Sequence, residues 1–344
     1  MQIHGRIYNN SNDIYRYGYG GKEKDNSTGE GNLDFGSRIL DTRLGGRWLS
    51  PDPKATKYPS ESPYIYVSNN PLIFTDPDGE EKIVVTGGAN MDPKVNNPMM
   101  FIQASKVQLK NYLKEVKKMH CNEGVSWLIY DRNYSSKQKQ DMNSWAKKNH
   151  IQAPIFVNSA DEAINYINYK NVNGVPFYLT YGGSDRSKDQ ISDLSFMSHG
   201  MGGQIALGYR NTFCGSPDLR ESYSIDLEKT PKFLKLSFAD DSRIDLFSCN
   251  SASPPSFMGV NIGSSSDAIK LVQQGNNVLT SLSVAVPQAT VTGVLGQTTY
   301  SPVKSDQLPA PATTGGDYSP RINGNTESPS LKLKAQNGNV TQTQ

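Results

Sequence analysis

Two residues with the chemistry of a nucleophile and a base follow two apolar segments of the chain. His199 follows the segment Ile191–Ser198, and Cys249 follows the segment Arg243–Ser248. A cysteine attacks as its thiolate, and a neighbouring imidazole can take up the thiol proton and later protonate a leaving amine. These residue types, each at the end of an apolar segment, therefore indicate nucleophilic catalysis by a cysteine.

A glycine-rich loop follows the histidine and adds to this chemistry. Residues 200–203 read Gly-Met-Gly-Gly, and Gly200 would let a substrate backbone approach closely while leaving an unhindered N–H. The N–H groups of Gly200 and Cys249 would form an oxyanion hole, worth about 2.7–4 kcal/mol per donor. Asn250, directly after the cysteine, is a further candidate residue of this oxyanion loop.

Both residues also have a purely structural interpretation. A cysteine at the end of a strand is commonly a small buried hydrophobic residue, and a histidine before a glycine loop is commonly a hydrogen-bonded loop residue. Their joint position after consecutive apolar segments favours catalysis. Cys121 and Cys214 have no histidine in a comparable position, so we interpret them as structural.

Residues 101–285, which must position these side chains, alternate between helical and strand patterns. Helices are predicted at Phe101–Met119, from a cap at Ser135 or Ser136 to Lys148, at Ala160–Tyr169 after a cap at Ser159, at Lys229–Phe238 and at Ser266–Gln274. Strands are predicted at Trp127–Tyr130, Pro154–Val157, Ile191–Ser198, Gln204–Leu207, Arg243–Ser248 and Val278–Val284. This alternation indicates an α/β fold with a largely parallel, doubly wound sheet of five or six strands. Because open α/β sheets bind ligands at the carboxyl ends of their strands, we expect His199 and Cys249 to emerge at one edge.

The composition divides the chain into four parts. Residues 1–80 contain short strand-like pieces between turn signals and predict an irregular β stub. Residues 81–124 are interpreted as a connector and the first helix, and residues 125–298 as the α/β domain. Residues 299–344 are rich in Pro, Ser, Thr, Asn, Gly and Gln without periodicity, which predicts a disordered low-complexity tail.

Ordered motifs in the first part resemble the end of the RHS-repeat-associated core. They are Tyr15–Asp25 (YRYGYGGKEKD), Arg38–Leu44 (RILDTRL), Gly45–Pro53 (GGRWLSPDP), Tyr64–Leu72 (YIYVSNNPL) and Asp76–Gly79 (DPDG). The resemblance covers about residues 13–80. In that family the core closes a β-shell around a C-terminal toxin, which is cut free near the last of these motifs.

The same resemblance implies a self-cleavage site. Release in the family is attributed to an aspartyl mechanism, in which two close carboxylates share a proton. Carried over to this chain, Asp76 with Asp52 would be that pair, Pro77 and Gly79 would complete the motif, and Glu80 would follow the cut. The alternative is that both Asp-Pro pairs are turn formers.

The α/β part resembles the caspase-like cysteine peptidases, the group of caspases, gingipains and CHAT peptidases. The matching pattern is an apolar strand followed by His199-Gly200 and a second apolar strand followed by Cys249, within about residues 125–285. The resemblance implies that His199 is the base and Cys249 the nucleophile. The caspases' own Gln-Ala-Cys-x-Gly signature is absent, so cleavage after aspartate is not implied.

Together the two resemblances predict a bacterial Rhs-type toxin tip that acts as a cysteine endopeptidase on a protein or peptide substrate. A cognate immunity protein is the other expected partner. A catalytically inactive α/β binding or adhesion module on an Rhs stub is the alternative. A nuclease toxin is disfavoured, because the sequence shows no His/Asp/Glu cluster and no basic patch.

Composition argues against several other classes of protein. The net charge of +2 gives no reason to expect nucleic acid as a partner, and no apolar run approaches the ~18 residues of a membrane span. Three scattered cysteines fit neither a disulfide framework nor a zinc site, and no dinucleotide or phosphate loop is present. We therefore expect no cofactor and no metal. The N-terminus lacks a signal peptide, so we expect the protein to stay in the bacterial cytoplasm until a dedicated secretion system exports it.

Overall fold

Four short strands form a small antiparallel sheet in the N-terminal part of the chain. They are β1 (Glu23–Asp25), β2 (Asn32–Asp34), β3 (Ile39–Asp41) and β4 (Arg47–Trp48), and they pair in sequence order. Its buried core consists of Leu33, Leu40, Trp48 and Tyr66. The β structure expected here is therefore present as a regular meander in the described residues.

The structure is a computed structural model. It describes residues 18, 23–25, 27, 31–34, 38–51, 62–66, 80–89, 97–119, 124–173, 186, 190–208, 223–255, 261–300, 307–313, 321–322 and 330–343.

An eight-stranded sheet dominates the described structure. In chain order its strands are β5 (Glu80–Thr86), β6 (Gly124–Tyr130), β7 (Ile155–Val157), β8 (Gln190–Met197), β12 (Phe238–Leu246), β14 (Thr290–Leu295), β18 (Leu331–Gln336) and β19 (Asn339–Gln342). Their spatial order is β19-β18-β14-β12-β8-β5-β6-β7. The six strands from β14 to β7 are parallel, and β18 and β19 add an antiparallel hairpin outside β14. The predicted α/β fold with a largely parallel sheet is confirmed, with the hairpin as an addition.

Five helices of the described residues cover both faces of this sheet. They are α1 (Met100–Met119), α2 (Ser136–Lys148), α3 (Ala160–Tyr169), α4 (Ser265–Gln273) and α5 (Val278–Ala285). α1 and α2 contribute to the core on one face, and α3, α4 and α5 to the core on the other. Within the described part, no helix is long and apolar enough to cross a membrane.

Two predicted elements are wrong. The expected helix at Lys229–Phe238 is a pair of 3-10 turns before β12, because Phe233 and Leu234 between the turns are extended, with ψ angles of 124° and 121°. The expected strand at Val278–Val284 is helix α5. Its β-branched, apolar sequence suggests a strand, but the Asn277 side chain accepts a hydrogen bond from Thr280 N–H at 2.9 Å and starts a helix.

Residues 81–124, interpreted as a connector and the first helix, contain that helix as α1 but are not a mere connector before it, because β5 lies in the interior of the sheet between β6 and β8. Its first residues, Glu80-Glu-Lys82, are charged and hide the strand pattern. Glu81 and Lys82 are nevertheless almost completely buried, since Glu81 pairs with Arg186 and Lys82 with Asp193. The sheet therefore begins at Glu80.

Disorder of the tail does not extend to residues 330–343, which form the β18–β19 hairpin on the sheet. Side chains of β18 alternate between buried Leu331, Leu333 and Ala335 and exposed lysines and glutamine. Shorter pairs lie nearby: β15 (Thr298–Thr299) with β16 (Ala310–Pro311), and β13 (Asn261–Ile262) with β17 (Arg321–Ile322). The sequence of β18 alternates in the way that is typical of a strand, but the polar composition of the surrounding residues favoured the prediction of disorder.

Candidate active site

His199 and Cys249 leave the sheet at the same edge, directly after neighbouring parallel strands. β8 and β12 pair with Leu194 opposite Ile244 and Phe196 opposite Leu246, a constant offset of 50 residues. Continuing this register places His199 opposite Cys249. The residues just before them are in contact, since the Ser198 and Ser248 hydroxyl oxygens lie 3.0 Å apart. The expectation that both residues emerge at one edge is confirmed.

The histidine begins a small antiparallel sheet that folds towards the cysteine loop. β9 (His199–Met201) pairs with β10 (Gln204–Ala206), which pairs with β11 (Ser224–Asp226). Gly202 and Gly203 form the turn between β9 and β10. Gly203 has a φ of +79°, and its N–H donates to the Ser253 carbonyl at 2.8 Å. The hairpin is therefore fixed to the loop that follows Cys249.

The glycines allow this close approach. A Cβ on Gly200 would lie 2.1 Å from the Cys249 carbonyl oxygen, and one on Gly202 would lie 2.5 Å from the Pro254 carbonyl oxygen. No side chain fits at either position without movement of a backbone. Gly200 was expected to let a substrate approach; in the structure its Cα packs directly against the peptide unit that follows Cys249.

The loop after Cys249 is held by backbone hydrogen bonds. Asn250 adopts a φ of +52°, and its N–H donates to the Gly296 carbonyl at 2.6 Å. Ala252 N–H donates to the Val294 carbonyl at 3.1 Å. The backbone N–H of Asn250 is therefore occupied within the loop, and a role for Asn250 in an oxyanion loop stays a prediction.

The Cys249 sulfur lies against the backbone of β15. It accepts a hydrogen bond from the Thr298 N–H at 3.3 Å, and its own S–H donates to the Thr298 carbonyl oxygen at 3.8 Å. Burial raises the pKa of the Cys249 thiol above the ordinary value of 9.0, and the N–H groups of Thr298 and of Cys249 itself only partly offset this. In this arrangement the thiol is protonated at neutral pH.

Two aromatic residues complete the site. Tyr300 donates its hydroxyl hydrogen towards the Phe247 carbonyl and also lies 3.3 Å from the Ser198 carbonyl, so it joins the ends of β12 and β8. Its ring packs edge-on against Phe101 of α1 with centroids 5.0 Å apart, and Phe101 packs edge-on against the His199 ring at 4.8 Å. Phe101 and Tyr300 thus fix the position of the imidazole and of both strand ends.

Thr298, Tyr300 and Phe101 are site residues that the sequence pattern does not reveal. Thr298 is the last residue assigned to the α/β domain, Tyr300 falls at the start of the segment interpreted as a disordered tail, and Phe101 lies almost 100 residues before His199. One signal was available: Tyr300 ends a stretch rich in Thr and Val, both β-branched residues, that begins with β14.

The switch in strand order between β5 and β8 lies beside the site but is closed by the chain itself. Gly87 N–H donates to the Met197 carbonyl at 2.8 Å, and Gly88 N–H donates to the Leu207 carbonyl at 2.7 Å. Open α/β sheets bind ligands at such a switch point. Here the crevice is filled, so the candidate site lies one strand further, between β8 and β12.

Four of the five residues of the predicted self-cleavage motif lie outside the described residues, and the motif stays a prediction. Asp52, Asp76, Pro77 and Gly79 lie outside the described residues, and Glu80 is the first residue of β5. Cys121 and Cys214 also lie outside the described residues. Among those that are described, no group of three or more His, Cys, Asp or Glu side chains is arranged to hold a metal ion.

Comparison with known proteins adds no assignment. No protein-family model matches this sequence, and no curated protein matches it significantly.

Proposed function

We propose that this chain is a cysteine endopeptidase in which Cys249 is the nucleophile and His199 the general base. The observation that carries the proposal is the register of β8 and β12, which brings His199 and Cys249 out of neighbouring parallel strands at equivalent positions. Parallel strands and their following loops give a rigid frame, which catalysis requires because a displacement of about 1 Å can cost a hundredfold in rate.

The proposed reaction has two halves. His199 removes the thiol proton as the Cys249 sulfur attacks the substrate carbonyl carbon, and the resulting oxyanion accepts hydrogen bonds from the N–H groups of Cys249 and Gly200. The tetrahedral intermediate collapses, the C–N bond breaks, and His199 gives its proton to the leaving amine. His199 then deprotonates a water molecule, which attacks the thioester and releases the acid and the thiol.

We propose an Rhs-type toxin tip as the biological context, on the resemblance of residues 13–80 to the RHS-associated core. In that context the substrate is a protein or peptide of a competing cell, and a cognate immunity protein protects the producer. The small antiparallel sheet of β1 to β4 agrees with an all-β core segment, and the self-cleavage motif stays a prediction.

The test is peptide-bond hydrolysis combined with labelling of cysteines. The full chain should cleave a mixture of unfolded proteins, and His199→Asn should lower the rate by about 10²–10⁴-fold, the usual contribution of a general base. Cys249→Ser should reduce hydrolysis to background. New peptide termini, measured by mass spectrometry, give the rate and the cleavage sites.

Matched variants separate catalysis from folding. His150→Asn changes the exposed histidine after α2, whose φ of +59° asparagine also tolerates, and should leave hydrolysis unchanged. Cys121→Ser and Cys214→Ser should behave in the same way. If folded wild-type protein and Cys249→Ser give the same background hydrolysis, the chain is better interpreted as an inactive binding module.

A further inference from the structure

The segment Gln297–Tyr300 lies across the candidate nucleophile. Its Thr298 backbone contacts the Cys249 sulfur through both the N–H and the carbonyl, and the Tyr300 hydroxyl bonds the ends of β8 and β12. A substrate carbonyl must reach the same sulfur. Access to the thiol therefore depends on where this segment lies.

A second segment packs against Gln297–Tyr300 on the side away from Cys249. Residues 307–313, here called the strap, contain β16, which pairs with β15 so that Thr298 lies opposite Pro311 and Thr299 opposite Ala310. Ala312 N–H donates to the Gln297 carbonyl at 2.8 Å. In an antiparallel pair the backbone groups of successive residues point to opposite sides, so Gln297 faces the strap while Thr298 faces the cysteine.

In the described residues the strap is anchored by a small set of contacts: the half-buried Leu308, the buried Pro309, and a hydrogen bond from the Ser330 N–H to the Ala312 carbonyl at 3.0 Å. Leu308 packs against the core that contains Phe101 and Tyr300, the two aromatic residues beside the site. The pairing of β15 with β16 is two residues long, and Pro311 cannot donate a hydrogen bond. Such a short pairing opens locally at low cost, so the strap can be displaced without unfolding the sheet.

We propose that the strap is an autoinhibitory element, which holds Gln297–Tyr300 against the Cys249 sulfur and keeps the thiol latent until the strap is displaced. This proposal rests on the proposed function in one respect, that the latent thiol is the nucleophile. It accounts for a thiol that is placed like a nucleophile and yet bonded to its own chain. Displacement would hydrate the sulfur and return its pKa towards the ordinary value, which increases the thiolate fraction at neutral pH.

The experiment is iodoacetamide labelling of the full chain at pH 7.5, with the rate at Cys249 followed by peptide mass spectrometry. The double variant Leu308→Asp, Ala312→Pro removes the apolar anchor and the hydrogen-bond donor of the strap. We expect it to label Cys249 at least tenfold faster than wild type. The milder Leu308→Ala should raise the rate about threefold, and it serves as the test if the double variant does not fold.

Two controls make the result specific. Leu236→Asp introduces the same charge at a leucine that is 70% exposed near the opposite end of β12, and it should leave labelling unchanged. The synthetic peptide Gln-Leu-Pro-Ala-Pro-Ala-Thr, which has the sequence of residues 307–313, should slow labelling of the double variant when it is added in excess. An unchanged rate in the folded strap variants, or an equal increase in Leu236→Asp, would overturn the proposal.

The strap proposal and the peptidase proposal can each fail without the other, because labelling and hydrolysis test them separately. Iodoacetamide requires only an accessible thiolate, whereas peptide hydrolysis also requires His199. Faster labelling without hydrolysis would support the strap and contradict the peptidase, while hydrolysis with unchanged labelling would support the peptidase and contradict the strap.

Discussion

At the scale of single residues, Gly200 determines how closely the β9–β10 hairpin approaches the loop that follows Cys249. A methyl group there would overlap the Cys249 carbonyl and lie 2.8 Å from Ser248 Cβ. We expect Gly200→Ala to destabilise the protein by about 1–3 kcal/mol, the cost of overpacking, and to displace Cys249. Thermal unfolding measures the first effect. Gly124→Ala is the control, because a Cβ there meets only Glu81 at 3.6 Å, and a similar loss in both variants would contradict the assignment.

The pKa of Cys249 leads to a second prediction at this scale. Because burial raises that pKa above 9.0 and only the thiolate reacts, the wild-type labelling rate should still be rising between pH 8 and pH 9. The rate of iodoacetamide labelling at Cys249, measured by quenching samples at a series of pH values, tests this prediction. A plateau below pH 8 would instead indicate a thiolate–imidazolium pair in the resting protein.

At the scale of elements, buried charges join the central strands. Asp193 on β8 accepts hydrogen bonds from Lys82 on β5 and, at 2.6 Å, from Arg243 on β12, and both Lys82 and Asp193 are almost completely buried. Asp193→Asn leaves the buried ammonium without its close carboxylate, so we expect a loss of about 3 kcal/mol. Denaturant unfolding measures it. The same change at Asp161, whose ion pair with Lys232 is half exposed, should cost less than about 1 kcal/mol.

The β18–β19 hairpin gives a second prediction for an element. Leu333 is fully buried on the sheet, so Leu333→Ala should cost about 2–4 kcal/mol, measured by thermal or denaturant unfolding. Leu236→Ala, at an exposed leucine, should change the stability little. If both variants unfold alike, the hairpin does not stabilise the sheet, and this prediction is wrong.

The elements that could be predicted are those whose local signals agree with their final surroundings. α3 begins after Ser159, whose hydroxyl accepts from Glu162 N–H at 3.1 Å, and its cap and apolar spacing were both visible in the sequence. β5 and α5 could not be predicted in this way. Ion pairs with distant residues bury the charged start of β5, and packing on the sheet overrides the strand propensity of α5.

The candidate site was predictable to the same extent. His199 and Cys249 follow apolar strands, and parallel pairing of neighbouring strands brings their ends together, so local pattern and topology were sufficient. Thr298, Tyr300 and Phe101 reach the site from elements far apart in sequence. Their positions depend on tertiary contacts that leave no short-range pattern.

At the scale of the whole molecule, the large sheet sets the boundary of the α/β unit at Glu80. β5 makes pairs with both β6 and β8, so a chain that begins at Glu80 should fold with a cooperative thermal transition. A chain that begins at Gly87 lacks this interior strand and should not fold. Circular dichroism and thermal unfolding of the two chains test the boundary. Cooperative unfolding of the shorter chain would place the boundary elsewhere.

The order of strands also bears on synthesis at the ribosome. From β5 outward through β8, β12, β14, β18 and β19, each later strand is added outside the previous one. A nascent chain can therefore assemble this side by successive addition, without inserting a strand into a finished sheet. Until the last hairpin is translated, β14 is an open edge that can pair with another chain. Gln297–Tyr300 and the strap are also translated after Cys249, so the thiol exists without them for the time needed to translate about 60 further residues, which is 3–12 s at roughly 5–20 residues per second.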